Sequence, residues 1–122
     1  GRRIRQAYQT GDKESLQQIA REELSKLRSE IEHFHALFSH QWLKENKVFG
    51  LDTVDIRIGG LLQRIKRAEN RIENYLAGDI SRIDELEVDI LPFNDFYADK
   101  NFAATTANQW HTIATASTIY TT

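Results

Sequence analysis

The sequence contains no cysteine, no methionine and only one proline in 122 residues. The absence of cysteine excludes a disulfide scaffold, an iron–sulfur centre and a zinc site with cysteine ligands. Since methionine is also absent, residue 1 is not an initiator, and we expect the chain to be part of a longer protein. No stretch approaches the roughly 20 consecutive apolar residues of a membrane helix, so we predict no membrane partner.

Surplus charge of either sign is also lacking, because 16 Lys and Arg stand against 18 Asp and Glu. Phosphate binding depends on clustered surplus Lys and Arg, so we predict no nucleic-acid partner. All these charges lie in the first 100 residues, and the last 22 residues carry none. We therefore expect residues 93–122 to form an irregular or short-β tail that packs on the helices or on another domain.

A long amphipathic helix is the clearest element of the sequence. Gly and Pro are absent between Gly11 and Gly50. Apolar residues recur there in steps of three and four, which is typical of a helix with one buried face. We predict a helix over 13–46, capped by Asp12. At 1.5 Å per residue it is about 50 Å long, so it must project, bend or pack on another chain.

The rest of the first 92 residues predicts shorter helices around this one, at 3–9, 53–77 and 82–91. Gly78 has the position of a C-cap, and Pro92 ends the last helix. Gly59 and Gly60 interrupt the second long helix, which suggests a close backbone approach or a kink. The expected fold is mainly α: an elongated helical hairpin with a third short helix, resembling a three-helix bundle.

Histidines near the middle of the long helix suggest a metal site. Glu30 with His33, and Glu32 with His35, have the E-x-x-H spacing of di-iron four-helix bundles. The two pairs point to different helix faces, and no second helix supplies such a pair. We therefore expect these histidines to be exposed or interfacial, and we predict no metal and no cofactor.

Two other charged groups also have a simpler interpretation. Asp84-Glu85 is the only Asp-Glu step, and paired carboxylates perform glycosidic acid–base chemistry. Here the pair lies in a short helix, so a solvated helix face is favoured. Arg2, Arg3 and Arg5 are interpreted as a solvated terminus. The sequence contains no phosphate loop, nucleophile elbow or Ser-His-Asp motif.

Unusual residues are densest between 42 and 64, at the expected hairpin tip. An aromatic ring combined with carboxylate, amide and guanidinium groups is suited to sugar recognition. The candidates are Trp42, Glu45, Asn46, Asp55 and Arg57. The alternative is structural: Trp42 fills the core, and Asp55 and Arg57 hold the tip together. The spacing alone favours this alternative.

The same stretch resembles a known family. The segments are W-L-K-E-N-K-x-F-G at 42–50, D-I-R-I-G-G-L at 55–61, E-L-E-V-D-I-L at 85–91 and I-A-T-A at 113–116, and Val48 stands where the family often has Pro. They resemble the C-terminal helical region of bacterial family 20 glycoside hydrolases, the β-N-acetylhexosaminidases. The likeness covers most of residues 12–122, and its specificity lies mainly in 42–61.

The resemblance implies a parent enzyme with a small α+β domain, a catalytic (β/α)8 barrel and then this helical domain. The family's catalytic Asp-Glu pair stands in an H-x-G-x-D-E motif. Asp84-Glu85 follows D-I-S-R-I and does not match it, so no catalytic residue is expected in this chain.

The expected roles are packing on the barrel of the same chain, homodimerisation and completion of a sugar pocket by the hairpin tip. Carbohydrate is then a partner only through the parent. A stand-alone helical interaction module is the alternative, and a metal-dependent four-helix enzyme is a third class. The sequence leaves the compartment open, with the bacterial cytoplasm as the working expectation.

Overall fold

The computed structural model describes residues 1–88, so the tail at 93–122 lies outside the described residues. The described residues form helices joined by short turns, and they contain no strand. The predicted mainly α fold class is therefore confirmed. The elements are α1 (Arg2–Gln9), α2 (Lys13–Gln18), a π-helical segment (Ile19–Glu23), α3 (Leu24–Glu45), α4 (Leu51–Ala77) and α5 (Asp84–Glu87).

The long helix begins where the sequence predicts, because Asp12 caps it. The Asp12 Oδ1 atom accepts a hydrogen bond from the Ser15 backbone N–H at 3.0 Å. The helix differs from the prediction at Ile19–Glu23, where a π turn replaces the regular α-helix. A π turn holds one extra residue, so it rotates α3 relative to α2. It lies between α2, which packs on α1, and α3, which packs mainly on α4.

Helices α3 and α4 form an antiparallel hairpin. They are joined by residues 46–50, and Gly50 has a positive φ of 100°. Three pairs of polar side chains connect the two sides of the hairpin along its length. They are Arg21–Glu73 at 2.9 Å, Arg28–Glu69 at 3.5 Å and His35–Asp55 at 2.6 Å. Helix α4 begins at Leu51, two residues before the prediction, and ends at Gly78 in the left-handed conformation.

The hydrophobic core occupies the base of the hairpin, at the end far from the 46–50 turn. Helix α1, α2, the end of α4 and the segment before α5 contribute to it. The buried residues of this core are Ala7, Leu16, Ala20, Ile72 and Ile83. Tyr8 closes one side, because its hydroxyl accepts the Ile83 N–H at 3.2 Å and donates to the Glu87 carboxylate.

The hairpin beyond this base has no third layer in the described residues. Helix α3 contains no buried residue. Large apolar side chains are exposed along it, with Leu27 at 43%, Phe34 at 55% and Leu37 at 58%. The bundle-like arrangement that the sequence predicts is therefore found only at the base.

The third helix begins two residues later than predicted. It covers Asp84–Glu87, and Val88 is extended, while residues 89–91 of the prediction lie outside the described residues. Acidic residues in the first turn favour a helix start. The Arg5 guanidinium then binds carbonyls where the helix ends, donating to Leu86 O at 3.3 Å and to Val88 O at 2.9 Å. These contacts satisfy acceptors that a longer helix would use internally.

The close backbone approach expected at Gly59 and Gly60 is not present in the described residues. Both glycines are exposed inside α4, and a Cβ atom at either would meet nothing within 4 Å. Helix α4 continues through both positions. Among residues 1–88, no helix has the length and apolar character needed to span a membrane.

Candidate functional site at the hairpin tip

The hairpin tip is organised around the side chain of Trp42. Helix α3 ends because Asn46 turns extended, while its N–H still donates to Trp42 O at 2.8 Å. The Trp42 indole N–H donates to Lys47 O at 2.8 Å, across the turn. The ring also covers Gly50, where a Cβ atom would lie 3.2 Å from the indole. Trp42 is thus half-buried and supports the turn.

An aromatic row leads along α3 to this turn. Phe34, Phe38 and Trp42 are four residues apart, so they lie on one helix face. Their successive ring centroids are 5.9 Å apart, with the planes tilted by 35° and 30°. Val48 and Phe49 extend the apolar surface at the turn, exposed by 60% and 57%. The tip therefore presents flat apolar faces to its surroundings.

The Asp55 carboxylate makes a contact that the sequence did not indicate. Its Oδ1 atom lies 2.6 Å from His35 Nε2. Ser39 Oγ lies 3.4 Å from the same nitrogen and donates to His35 O at 2.7 Å. A catalytic triad uses both ring nitrogens of the histidine, whereas these two groups share one. The arrangement joins α3 to α4 and is not a hydrolytic triad.

The remaining candidates, Glu45, Asn46 and Arg57, are all exposed. Glu45 is exposed and accepts a hydrogen bond from Gln41 Nε2 at 2.5 Å. Arg57 is exposed on α4. Two residues on a helix differ by about 200° in direction, so Asp55 and Arg57 lie on different faces. The structure places Trp42 and Asn46 together at the turn, but it does not assemble all five candidates into one pocket.

The metal interpretation finds no support in the described residues. Across residues 1–88, no three His, Cys, Asp or Glu side chains form a group that could hold a metal ion. Glu30 is paired with Lys26 at 3.8 Å, and His33 is exposed. His35 is the histidine bound to Asp55.

Both carboxylates of Asp84-Glu85 form ion pairs. Asp84 pairs with Arg82 at 2.7 Å, and Glu85 pairs with Arg71 at 3.0 Å. The hydrogen bond from Arg71 lowers the pKa of the Glu85 carboxyl. A glycosidic general acid needs a raised pKa, so the environment of Glu85 opposes that chemistry.

The arginines near residue 1 differ from the expected solvated terminus. Arg3 pairs with Glu23 at 2.9 Å, which ties α1 to the π-helical segment. Arg5 holds the end of α5 through the two carbonyls described above. The sequence could not indicate these roles, because only the tertiary fold brings Arg3 close to the π-helical segment and Arg5 close to α5.

The described residues form a small helical domain with a hairpin that extends beyond a compact base. The chain belongs to the family described as the Glycoside Hydrolase 20C C-terminal domain, whose profile matches residues 1–105. The resemblance to family 20 glycoside hydrolases is thereby confirmed, and the domain belongs with a catalytic family 20 domain in its parent chain. No curated protein matches the chain.

Proposed function

We propose that this domain serves a β-N-acetylhexosaminidase, which hydrolyses terminal N-acetylhexosamine residues through its separate catalytic domain. The helical domain packs on that catalytic domain, forms a homodimer and presents its hairpin tip to the mouth of a sugar pocket. The observation that carries the proposal is the exposed aromatic tip in a chain of this family. Membership in this family favours an accessory domain over a stand-alone interaction module or a metal-dependent enzyme.

The tip has the chemistry for a supporting wall of a sugar pocket. Sugar rings stack their apolar faces on aromatic rings, and their hydroxyls bind planar polar groups. Because the Trp42 N–H is occupied by Lys47 O, Trp42 contributes a ring face rather than a donor. Glu45, Asn46 and Arg57 belong to the same stretch of sequence and are exposed. Their side chains supply hydrogen-bond acceptors and donors for sugar hydroxyls. Asp55 acts through His35, by fixing α4 against α3.

The distal part of the hairpin supplies a surface for dimerisation. Contiguous exposed apolar side chains on a soluble domain mark an interaction surface. Phe34 and Leu37 are both more than half exposed on α3, and Leu61 on α4 is 44% exposed. A second copy of the domain would cover this surface and bring one tip close to the other subunit.

The experiment uses the full-length parent enzyme with Trp42→Ala and Arg57→Ala. We expect kcat/KM for an aryl N-acetylhexosaminide to fall about tenfold or more, which corresponds to 1.4 kcal/mol. Lys26→Ala, at an exposed lysine of α3 far from the tip, is the matched control. An unchanged kcat/KM in a folded, dimeric variant would show that the tip has no part in the sugar pocket.

The dimer is tested separately by sedimentation of the full-length parent. We expect the wild-type enzyme to sediment as a dimer and Phe34→Glu with Leu37→Glu to sediment as a monomer, because the charges prevent burial of the face. A monomeric wild-type enzyme, or a dimer that survives both substitutions, would rule out this interface.

A further inference from the structure

A second surface with its own chemistry lies at the base of the molecule, far from the tip. It is an open groove of about 340 Å³ between α1, α4 and α5. Ile4, Ile72 and Leu86 provide an apolar floor. Arg64, Arg67 and Arg71 line it from α4, in steps of three and four that place them on one side of the helix.

Among the described residues, the lining of the groove has more positive than negative charge. Glu85 is the acidic residue of this described lining, and it pairs with Arg71 at 3.0 Å. Arg64 and Arg67 are exposed at its rim. The Arg71 Nε atom is buried and has no hydrogen-bond partner within residues 1–88. Buried donors are normally satisfied, so this nitrogen indicates an acceptor from outside the described residues.

The position of the groove identifies what lies next to it in the parent protein. Gly1 is part of the lining, and the family match begins at residue 1, so the groove lies beside the start of the matched domain. In this family the domain is C-terminal, and the catalytic domain precedes it. The polypeptide from the catalytic domain therefore arrives at the edge of the groove.

We propose that this groove is the docking surface for the preceding catalytic domain, which inserts a segment with an Asp or Glu side chain between apolar side chains. The carboxylate forms bidentate hydrogen bonds with the guanidinium groups of the rim. The apolar neighbours cover Ile4 and Leu86, which are half-buried in this domain. A small inorganic anion would satisfy the arginines but would leave the floor exposed to water. The proposal rests on the family and does not require the sugar-pocket role of the tip.

The test compares charge reversals in the full-length parent enzyme. Arg64→Glu with Arg67→Glu reverses the rim. Lys26→Glu with Lys66→Glu is the control, because it makes the same charge change at exposed residues outside the groove lining. We expect the rim variant to be cleaved about tenfold faster by a protease at the junction before Gly1. We also expect its helical domain to unfold in a separate, earlier calorimetric transition, while the control behaves as wild type.

Two further measurements distinguish docking from the alternatives. Far-ultraviolet circular dichroism checks that the rim variant keeps its helices, and Arg64→Lys with Arg67→Lys, which retains the charges, should show a weaker effect. Wild-type cleavage and a single transition in the rim variant would overturn the proposal. Dissociation of a dimer when the rim charges are reversed would also overturn it, because the occupant of the groove would then be a second copy of the domain. Protection of 64–72 from hydrogen exchange by inorganic phosphate, with unchanged junction cleavage, would indicate an anion site instead. The tip variants leave the groove intact, so either proposal can fail alone.

Discussion

At the scale of single residues, the structure separates side chains that hold the fold from those that remain available. The sequence suggested Trp42 either as a sugar-stacking ring or as a core residue. Its N–H is used within the turn, and one part of its ring covers Gly50, while the side chain stays half-exposed. The contact between His35 and Asp55 could not be predicted, since the two residues are 20 apart in sequence and the contact depends on the register between α3 and α4.

The Trp42 substitution series tests this structural role. Trp42→Phe keeps a ring beside Phe38 but removes the hydrogen bond to Lys47 O, so we expect a loss of about 1 kcal/mol in the free energy of unfolding. Trp42→Ala also removes the ring contacts, and we expect a larger loss. Urea unfolding of the parent enzyme, followed by circular dichroism, measures both. Equal losses for the two variants would show that the ring itself contributes nothing.

At the scale of elements, the sequence predicts the ends of the helices better than the regularity of the helices between those ends. The Asp12 cap and the left-handed Gly78 are present as predicted, because each depends on residues within one turn. The π turn at Ile19–Glu23 leaves no mark in the apolar spacing. The contact between α5 and Arg5 could not be predicted either, because Arg5 is 81 residues away from Leu86 in sequence.

The glycines of α4 give a prediction at this scale. Gly59→Ala and Gly60→Ala should each raise the free energy of unfolding by roughly 1 kcal/mol, because alanine is the better helix former and both sites have open space. Gly50→Ala and Gly78→Ala are the controls, and both should destabilise, since φ is +100° and +83° there. Chemical unfolding of each variant measures the difference. If Gly59→Ala destabilises the parent, another domain approaches α4 at that point.

At the scale of the whole molecule, packing within residues 1–88 is uneven. The fold class could be predicted because helical periodicity is local, but the concentration of most buried residues at the base could not. In this part of the chain it results from α1 and α5 covering the base, which depends on contacts such as Tyr8 with Ile83 and Glu87. The unevenness leaves an exposed apolar tip and a charged groove at opposite ends. A domain with two such surfaces can contact two different bodies at once.

Acid stability of the molecule depends on carboxylates near the base. Hydrogen bonds from Arg21 to Glu73, from Arg71 to Glu85 and from Ser15 to Asp12 lower the pKa of each carboxyl. Because these pKa values are lower in the folded state, the unfolded chain binds more protons in mild acid. Their contribution to stability is therefore present above the ordinary carboxyl pKa and is lost as the pH falls through the folded-state values.

We therefore expect the unfolding temperature of the domain in its parent to fall between about pH 6 and pH 3. Glu73→Gln and Glu85→Gln should each flatten this dependence. Glu22→Gln, at an exposed glutamate with no ion pair in residues 1–88, is the control and should leave it unchanged. High salt should weaken the effect, because the pairs of Glu73 and Glu85 are solvent-exposed and screened. Calorimetry at a series of pH values measures these slopes. A wild-type unfolding temperature that is flat across this range would show that the charged pairs at the base do not stabilise the fold.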